Sequence, residues 1–472
     1  MSLKTKIVCT LGPASRDPDV MKGMIEAGMD VARINTGHAE IEEVVRDIHA
    51  IARVGQDAGK RVGIMLDLQG PRLRVGPIKG SETELKTGQR FTITTEPVQG
   101  DSRRVSVSHP GLAGDLKPGD AVLIDDGLIK LRVISITGTE IGCEVLEGGP
   151  LKEEKGMNFP GTTLGLPSFT ERDRDCLEVG LETGVDWIAQ SFVRSADDIG
   201  ELRSAIKGFG HHTPIMAKIE RADAVRNIDS IIQAADGVMV ARGDLGVEME
   251  TEEVPLVQKE LIRKALRSVK PVLTATQMLE SMVERPRPTR AEASDVANAI
   301  LDGTDALMLS AETAIGAYPE KVVETMARIA ERTERALDYR RLLEERGGWV
   351  NSGAADAIGY AACKIAADLD AKAIVTVTRS GYTARLIARY RPRAQILAAC
   401  QDREVVDWMS VLWGVRGLVI PLSESLRETI DRVVKECERM GYLKRGDLTI
   451  ITGGFLDEKV GTTNTIHVHE VD

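Results

Sequence analysis

Two rhythms of apolar and polar residues divide the chain. Short continuous apolar runs recur at TKIVCTLG (5–12), DVARINTGH (30–38), RVGIMLDLQG (61–70), WIAQSFV (187–193), IMAKIE (215–220), GVMVA (237–241), PVLTATQML (271–279) and ALMLSAET (306–313). Unbroken runs of this length predict strands buried on both faces, and helical stretches such as 18–27 separate them. Eight such strands alternating with helices predict a closed (β/α)8 TIM barrel formed by residues 1–71 and 168–338. An open doubly wound sheet is the alternative. It would leave two edges, and no G-x-G-x-x-G loop supports it.

The rhythm breaks between residues 72 and 167. FTITTEP, RRVSVSH, AVLIDDGLIKLRVISI and EIGCEVL alternate with period two and are punctuated by Gly, Pro and Asp, which predicts an inserted all-β domain. Asp125-Asp126-Gly127 reads as a hairpin turn within it. From about Gly347 to Asp472 a separate C-terminal α/β domain is expected, opening its β-loop-α pattern at AIVTVTRSGYTARLIARYRPRA (373–394).

Composition narrows the class. The 472 residues exceed what one core organises, and a net charge of −11 with 3% aromatics argues against nucleic acid and against a polybasic membrane contact. Six cysteines are scattered without close pairs, and no zinc spacing occurs. The opening MSLKTKIVCTLGPAS lacks a signal-peptide core and no apolar run approaches ~18 residues, so a cytoplasmic location without membrane attachment is expected.

Polar residues gather where the barrel strands finish. Arg33 and Asn35 close the second strand with His38 following, Asp67 closes the third, Lys218 and Glu220 the fifth, Gly243 and Asp244 follow the sixth, and Thr276 ends the seventh. The carboxyl ends of barrel strands are where ligands bind. Two carboxylates there are hard oxygen donors of the kind that hold Mg²⁺ together with substrate oxygens, and Lys218 adds charge suited to a phosphoryl group. Gly243 lets backbone N–H groups approach an anion. Lys218 and Glu220 also read as a plain ion pair, being two apart on one strand face. Lys155, on the return from the insert, reads either as a solvated lysine or as a group that reaches a nucleotide phosphate.

TKIVCTLGPAS, IMAKIE, VARGDLGVE, ATQMLESM, RPRPTRAEASDVANAILDGTDALMLSAET and RYRPRA together resemble the pyruvate kinase family, and the likeness runs the length of the chain. The resemblance implies transfer of the phosphoryl group of phosphoenolpyruvate to ADP, giving pyruvate and ATP, with Mg²⁺ or Mn²⁺ and a second divalent ion travelling with ADP. It implies that Lys218 stabilises the phosphoryl group and the enolate, that Glu220 and Asp244 hold the metal, and that Gly243 and Asp244 take the substrate carboxylate through their backbone. By the same likeness Thr276 lies where the enolate carbon is protonated, and Arg33 and Arg74 contact phosphate oxygens. Asn35, His38 and Lys155 match nucleotide-phosphate positions. A homotetramer is implied as well.

Two departures qualify this. Ile315 stands where family members commonly carry lysine near the nucleotide. In the monovalent-cation site Asn35 and Asp67 match, but Gly37 replaces a serine and Arg72 a glutamate; with Leu68 these resemble the K⁺-independent branch, so K⁺ is expected not to be required. Thr378, Ser380, Gly381 and Thr383 are placed to bind the phosphate of an effector, or Ser380 or Thr383 simply caps the helix that follows. The facing segment carries Asp457 and Glu458 with only Lys459, which favours a monophosphate effector. Two other functions remain open from the residues alone: a Mg²⁺-dependent lyase acting beside a pyruvate enolate, which would need no lid, and a non-catalytic sensor of phosphorylated metabolites.

Overall fold

The computed structural model describes residues 3–350, 353–423, 426–454 and 463–472. Eight parallel strands close a barrel: β1 (Lys6–Thr10), β2 (Val31–Asn35), β3 (Gly63–Leu68), β4 (Trp187–Gln190), β5 (Ile215–Ile219), β6 (Gly237–Ala241), β7 (Val272–Ala275) and β8 (Ala306–Leu309), each beside its sequence neighbour, with β8 returning to β1. Every residue of β3, β5, β6, β7 and β8 is buried, as continuous apolar runs require. Strand residues alternate between two cores. Val8, Val31, Met65, Met216, Met239 and Leu273 fill the barrel, whereas Ile7, Ile34, Leu66, Ile188, Val240 and Leu307 pack outward on the helices.

The helices begin where the chain supplies a cap. Asp17 accepts from the N–H groups of Asp19 and Val20 ahead of helix Pro18–Ala27, and Thr289 with Glu292 forms a capping box ahead of helix Arg290–Asp302. Between β3 and β4 the insert builds a six-stranded sheet and a two-stranded ribbon around its own apolar core. Asp125, Asp126 and Gly127 all take positive φ at the turn from strand Ala121–Ile124 into strand Ile129–Thr137, as the hairpin reading requires. The all-β expectation meets one exception, a helical turn at Leu112–Asp115.

The C-terminal unit is a five-stranded sheet in which Ala373–Val377, Gln395–Cys400, Val415–Val419 and Leu448–Gly453 run parallel and Thr465–Glu470 is antiparallel at the edge. It is seated on the amino-terminal end of the barrel. Trp187, the first residue of β4, donates its indole N–H to Trp408 O at 2.9 Å, and Arg61 pairs with Asp407 at 2.6 Å. Lys4 gives its three ammonium hydrogens to the carbonyls of Pro392, Arg393 and Ala394. All six cysteines are buried and free. Among the described residues no helix is long and apolar enough to cross a membrane.

Candidate active site

Asp67 and Lys218 meet at the carboxyl ends of β3 and β5. The Lys218 ammonium lies 2.8 Å from Glu220 Oε1, 3.2 Å from Asp67 Oδ1, and donates to Ser191 Oγ at 2.6 Å. Burial pulls the Lys218 pKa down, but Asp67 and Glu220 outweigh it, leaving the ammonium above its ordinary value and therefore charged. Asp67 Oδ2 accepts from Arg33 Nε at 2.6 Å, and Arg33 Nη1 donates to Thr10 Oγ1 at 2.9 Å. Burial opposes ionisation of Asp67, yet Arg33 and Lys218 hold its pKa below the usual carboxylate range. Arg33 is thus held by Asp67 and Thr10 within the strand-end cluster.

Glu220 differs from Asp67. Burial pushes its pKa up, and Asp244 beside it adds to the effect against the pull of Lys218. Its Oε2 accepts the Phe192 N–H at 2.7 Å. The Asp244 carboxylate has no hydrogen-bond or ion-pair partner among the described residues and faces a cavity of about 1000 Å³. Two neighbouring carboxylates, one raised in pKa by burial with the other adding to it and one without an ion-pair partner among the described residues, make a donor set that a divalent metal fits. Among the described residues no three His, Cys, Asp or Glu side chains converge on a metal, so any ion here would complete its shell with water or substrate oxygens.

Helix Arg242–Glu248 follows β6 directly, and Gly243 N–H donates to Thr276 Oγ1 at 2.7 Å. Thr276 takes φ +66 just after β7, an uncommon conformation for a β-branched residue. Its carbonyl accepts from Arg242 Nη2 at 2.7 Å, and Arg242 is anchored to Asp295 at 2.6 Å. The groups assigned to the substrate carboxylate and to the enolate carbon are therefore neighbours.

Of the other expected residues, Asn35 lies beside Asp67 across the β2–β3 pairing, and none makes a side-chain bond to this centre among the described residues. Arg72 is exposed on the cavity wall. Asp67 is taken by Arg33 and Lys218 and does not pair with it. Arg74 donates to Glu154 O at 2.9 Å, and Lys155 pairs with Asp125 at 2.9 Å, so both are turned onto the insert. Asn35 Oδ1 accepts from Gly37 N–H at 3.1 Å. Leu68 is buried, and Ile315 is 64% exposed behind the short helix Ala311–Ala314. His38 ends a 3₁₀ turn, and its side chain lies outside the described residues.

Sequence reasoning passed over Ser191, Thr10 and the Phe192 N–H. Ser191 had a signal, since it directly follows β4 at the same end as the other polar groups. In the C-terminal unit Gly381, at φ +72, caps helix Tyr382–Ala388 with no side-chain bond, which rules out the alternative that Ser380 or Thr383 caps it. Thr383 instead meets the Thr463 hydroxyl at 2.8 Å, and Thr378 is buried with its N–H on Ala399 O at 3.0 Å. Asp457, Glu458 and Lys459 lie outside the described residues.

Comparison with known proteins agrees over the whole chain. Residues 2–323 match the model of the pyruvate kinase barrel domain and residues 356–469 that of the pyruvate kinase alpha/beta domain. Pyruvate kinase of Geobacillus stearothermophilus is 46% identical over 474 residues, covering 100% of this chain and 81% of that one. Pyruvate kinase of Staphylococcus aureus strain MRSA252 is 43% identical over 470 residues, covering 99% and 80%. The crystal structure of a pyruvate kinase from Cryptosporidium parvum superposes with a TM-score of 0.94 at 37% identity, over 100% of this chain and 96% of that one. With both domain models matched and relatives of this identity aligned from end to end, the chain belongs to the pyruvate kinase family of phosphotransferases.

Proposed function

We propose that the barrel mouth binds phosphoenolpyruvate and ADP and transfers the phosphoryl group between them, releasing pyruvate and ATP, with Lys218, Thr276, Arg33 and Arg74 as its working side chains. The observation that carries this reading is the charged Lys218 ammonium held between Asp67, Glu220 and Ser191 at the strand ends. An ADP oxygen attacks phosphorus, the bond from phosphorus to the enol oxygen breaks, and the electron pair stays on that oxygen. Lys218 stabilises the charge there, where a fixed ammonium in a buried site needs no reorganisation. Arg33 stabilises phosphoryl oxygens from a position fixed by Asp67 and Thr10. Gly243 and Asp244 hold the carboxylate. The Thr276 hydroxyl relays the proton that converts the enolate to pyruvate, directly or through water. Glu220 and Asp244 would hold Mg²⁺ or Mn²⁺, which when bound supplies positive charge to the phosphoryl and enolate oxygens.

Residues 1–71 and 168–338 act in this reading as the catalytic barrel and 72–167 as a lid. Arg74 and Lys155, together with Asn35 and His38, contact the nucleotide phosphates once the lid closes and excludes water. K⁺ is not required, because Arg72 supplies a permanent positive charge at the cavity wall and Gly37 offers no hydroxyl ligand. The unit 347–472 is regulatory, and the loop carrying Thr378, Ser380, Gly381 and Thr383 takes a phosphorylated effector, as a homotetramer in the cytoplasm. A coupled assay following pyruvate from phosphoenolpyruvate with and without ADP tests the activity: pyruvate release that needs ADP and a divalent ion is expected, and release indifferent to ADP would overturn it. Titration of sugar phosphates and AMP at sub-saturating phosphoenolpyruvate tests the regulation, and a rate unmoved by all of them would count against the loop.

A further inference from the structure

A second cavity, of about 240 Å³, lies at the seam between the amino-terminal end of the barrel and the C-terminal unit. Arg203, His212 and Asp236 line it from the barrel side, and Ser380, Gly381 and Arg385 from the other. Arg385 projects from helix Tyr382–Ala388. Its guanidinium has no hydrogen bond or ion pair among the described residues, and its Nε is wholly buried without a partner. Arg385 as a whole is half-buried, and a guanidinium with one donor buried and unpartnered is completed by an anion in the adjoining cavity.

The surrounding charge says what that partner is. The single carboxylate within reach, Asp236, already accepts from Arg203 Nη2 at 2.9 Å and from the Ile215 N–H at 3.0 Å through the same oxygen. Lys270, whose ammonium donates to Ala235 O, is depressed in pKa by burial and by the charges of Arg385 and Arg203 against that of Asp236, so three cations share one carboxylate. The excess is two positive charges. We infer that this seam cavity is an anion site for a phosphate dianion, free or as the head of a compact phosphomonoester, bound by Arg385 and Arg203 with the Ser380 hydroxyl. The volume is below the ~300–1,000 Å³ of drug-sized pockets, which limits the guest to this size. Guanidinium groups suit phosphate because their paired N–H donors match its oxygens.

The site shares Ser380 and Gly381 with the effector reading given above and differs from it in its three cations, none of which lies on the 378–383 loop. An anion here would join the barrel to the C-terminal unit through groups from both.

Inorganic phosphate is the probe. Titration calorimetry on the full chain, with chloride matching the ionic strength, is expected to show one more phosphate bound per chain for wild type than for Arg385→Met. Without phosphate, Arg385→Met is expected to melt no lower than wild type, since it loses a guanidinium that has no hydrogen-bond or ion-pair partner among the described residues. Arg385→Lys keeps the charge and loses the fork, so its phosphate affinity falls about tenfold; this variant carries the test if the methionine form does not fold. The difference of one phosphate between the arginine and Arg385→Met forms is expected to persist in a Thr383→Val background, whereas its loss there would assign that phosphate to the effector loop and overturn the proposal. Competition by glycerol phosphate identifies a phosphomonoester head as a guest, and no competition identifies free phosphate. Equal stoichiometry in wild type and Arg385→Met, or a lower melting temperature of Arg385→Met in chloride, would show the arginine to be purely structural and sink the inference.

Discussion

Lys218 and Asp67 stand 3.2 Å apart at the mouth of the barrel, each buried, each holding the other in its charged state. Lys218→Met removes the ammonium while keeping the length of the side chain. We expect kcat to fall by on the order of 10³ or more, as for loss of a fixed charge aimed at a transition-state oxygen. Steady-state kinetics with phosphoenolpyruvate and ADP measures this, and turnover near that of wild type would remove Lys218 from the mechanism.

Thr276 offers a finer test. Thr276→Ala removes the hydroxyl that accepts the Gly243 N–H, and the enolate loses its proton relay. The expected loss in kcat is on the order of 10², with the KM for phosphoenolpyruvate little changed, since the contact matters after phosphoryl transfer. Solvent-hydrogen exchange into the pyruvate methyl group should slow in parallel. A variant that changes KM alone would make Thr276 a binding residue.

The rate should be indifferent to K⁺. In tetraalkylammonium buffer free of sodium and potassium we expect full activity, and a rise of about tenfold or more on adding K⁺ at constant ionic strength would contradict the assignment of Arg72 as a built-in cation. Arg72→Glu with Gly37→Ser is expected to create a K⁺ requirement. The added Cβ at position 37 would meet Asn35 Oδ1 and Gln69 Cγ at 3.3 Å, a tight approach to two flexible side-chain ends that can give way.

The seam between the barrel and the C-terminal unit should respond to pH through Asp186. Burial pushes its pKa up to about 6, Arg61 opposes this, and Asp407, sharing the same arginine, reinforces it. An acid with a folded pKa above its unfolded value of ~3.9 binds its proton more readily in the folded state. Its contribution is therefore present below about pH 4 and is lost as pH rises through about 6. Asp186→Asn keeps an acceptor for the Ile64 N–H. Between pH 5 and pH 7.5 its stability relative to wild type should improve by on the order of 1 kcal/mol, read from urea unfolding. A constant difference across that range would rule out Asp186 as the titrating group.

The eight strands could be read because strands buried on both sides must be continuously apolar, and the site because polar residues can follow such a strand only where it opens to solvent. Lys218, Glu220, Asp244 and Thr276 all obeyed that rule. Pairing could not be read in this way. Asp67 takes Arg33 and Lys218 and leaves Arg72 on the cavity wall, a choice made by strand order and side-chain reach around a closed barrel. Arg74 and Lys155 face the insert for a related reason: they ride on the segments that enter and leave it, and their direction follows its packing. The cap at Gly381 was hidden because backbone conformation, at φ +72, set the helix start in place of a hydroxyl.

The insert also divides the barrel in time. β3 ends at Leu68 and its neighbour β4 begins at Trp187, so about 120 residues leave the ribosome before β3 gains its second partner. At ~5–20 residues per second, the edge of β3 stays open for roughly 6–24 s while the insert forms around its own core. β1 waits longer still, because its second edge closes only against β8. A nascent chain of this design carries a three-stranded parallel sheet with two unsatisfied edges until β4 emerges, and an insert that folds early beside β3 would shield one of them from other chains.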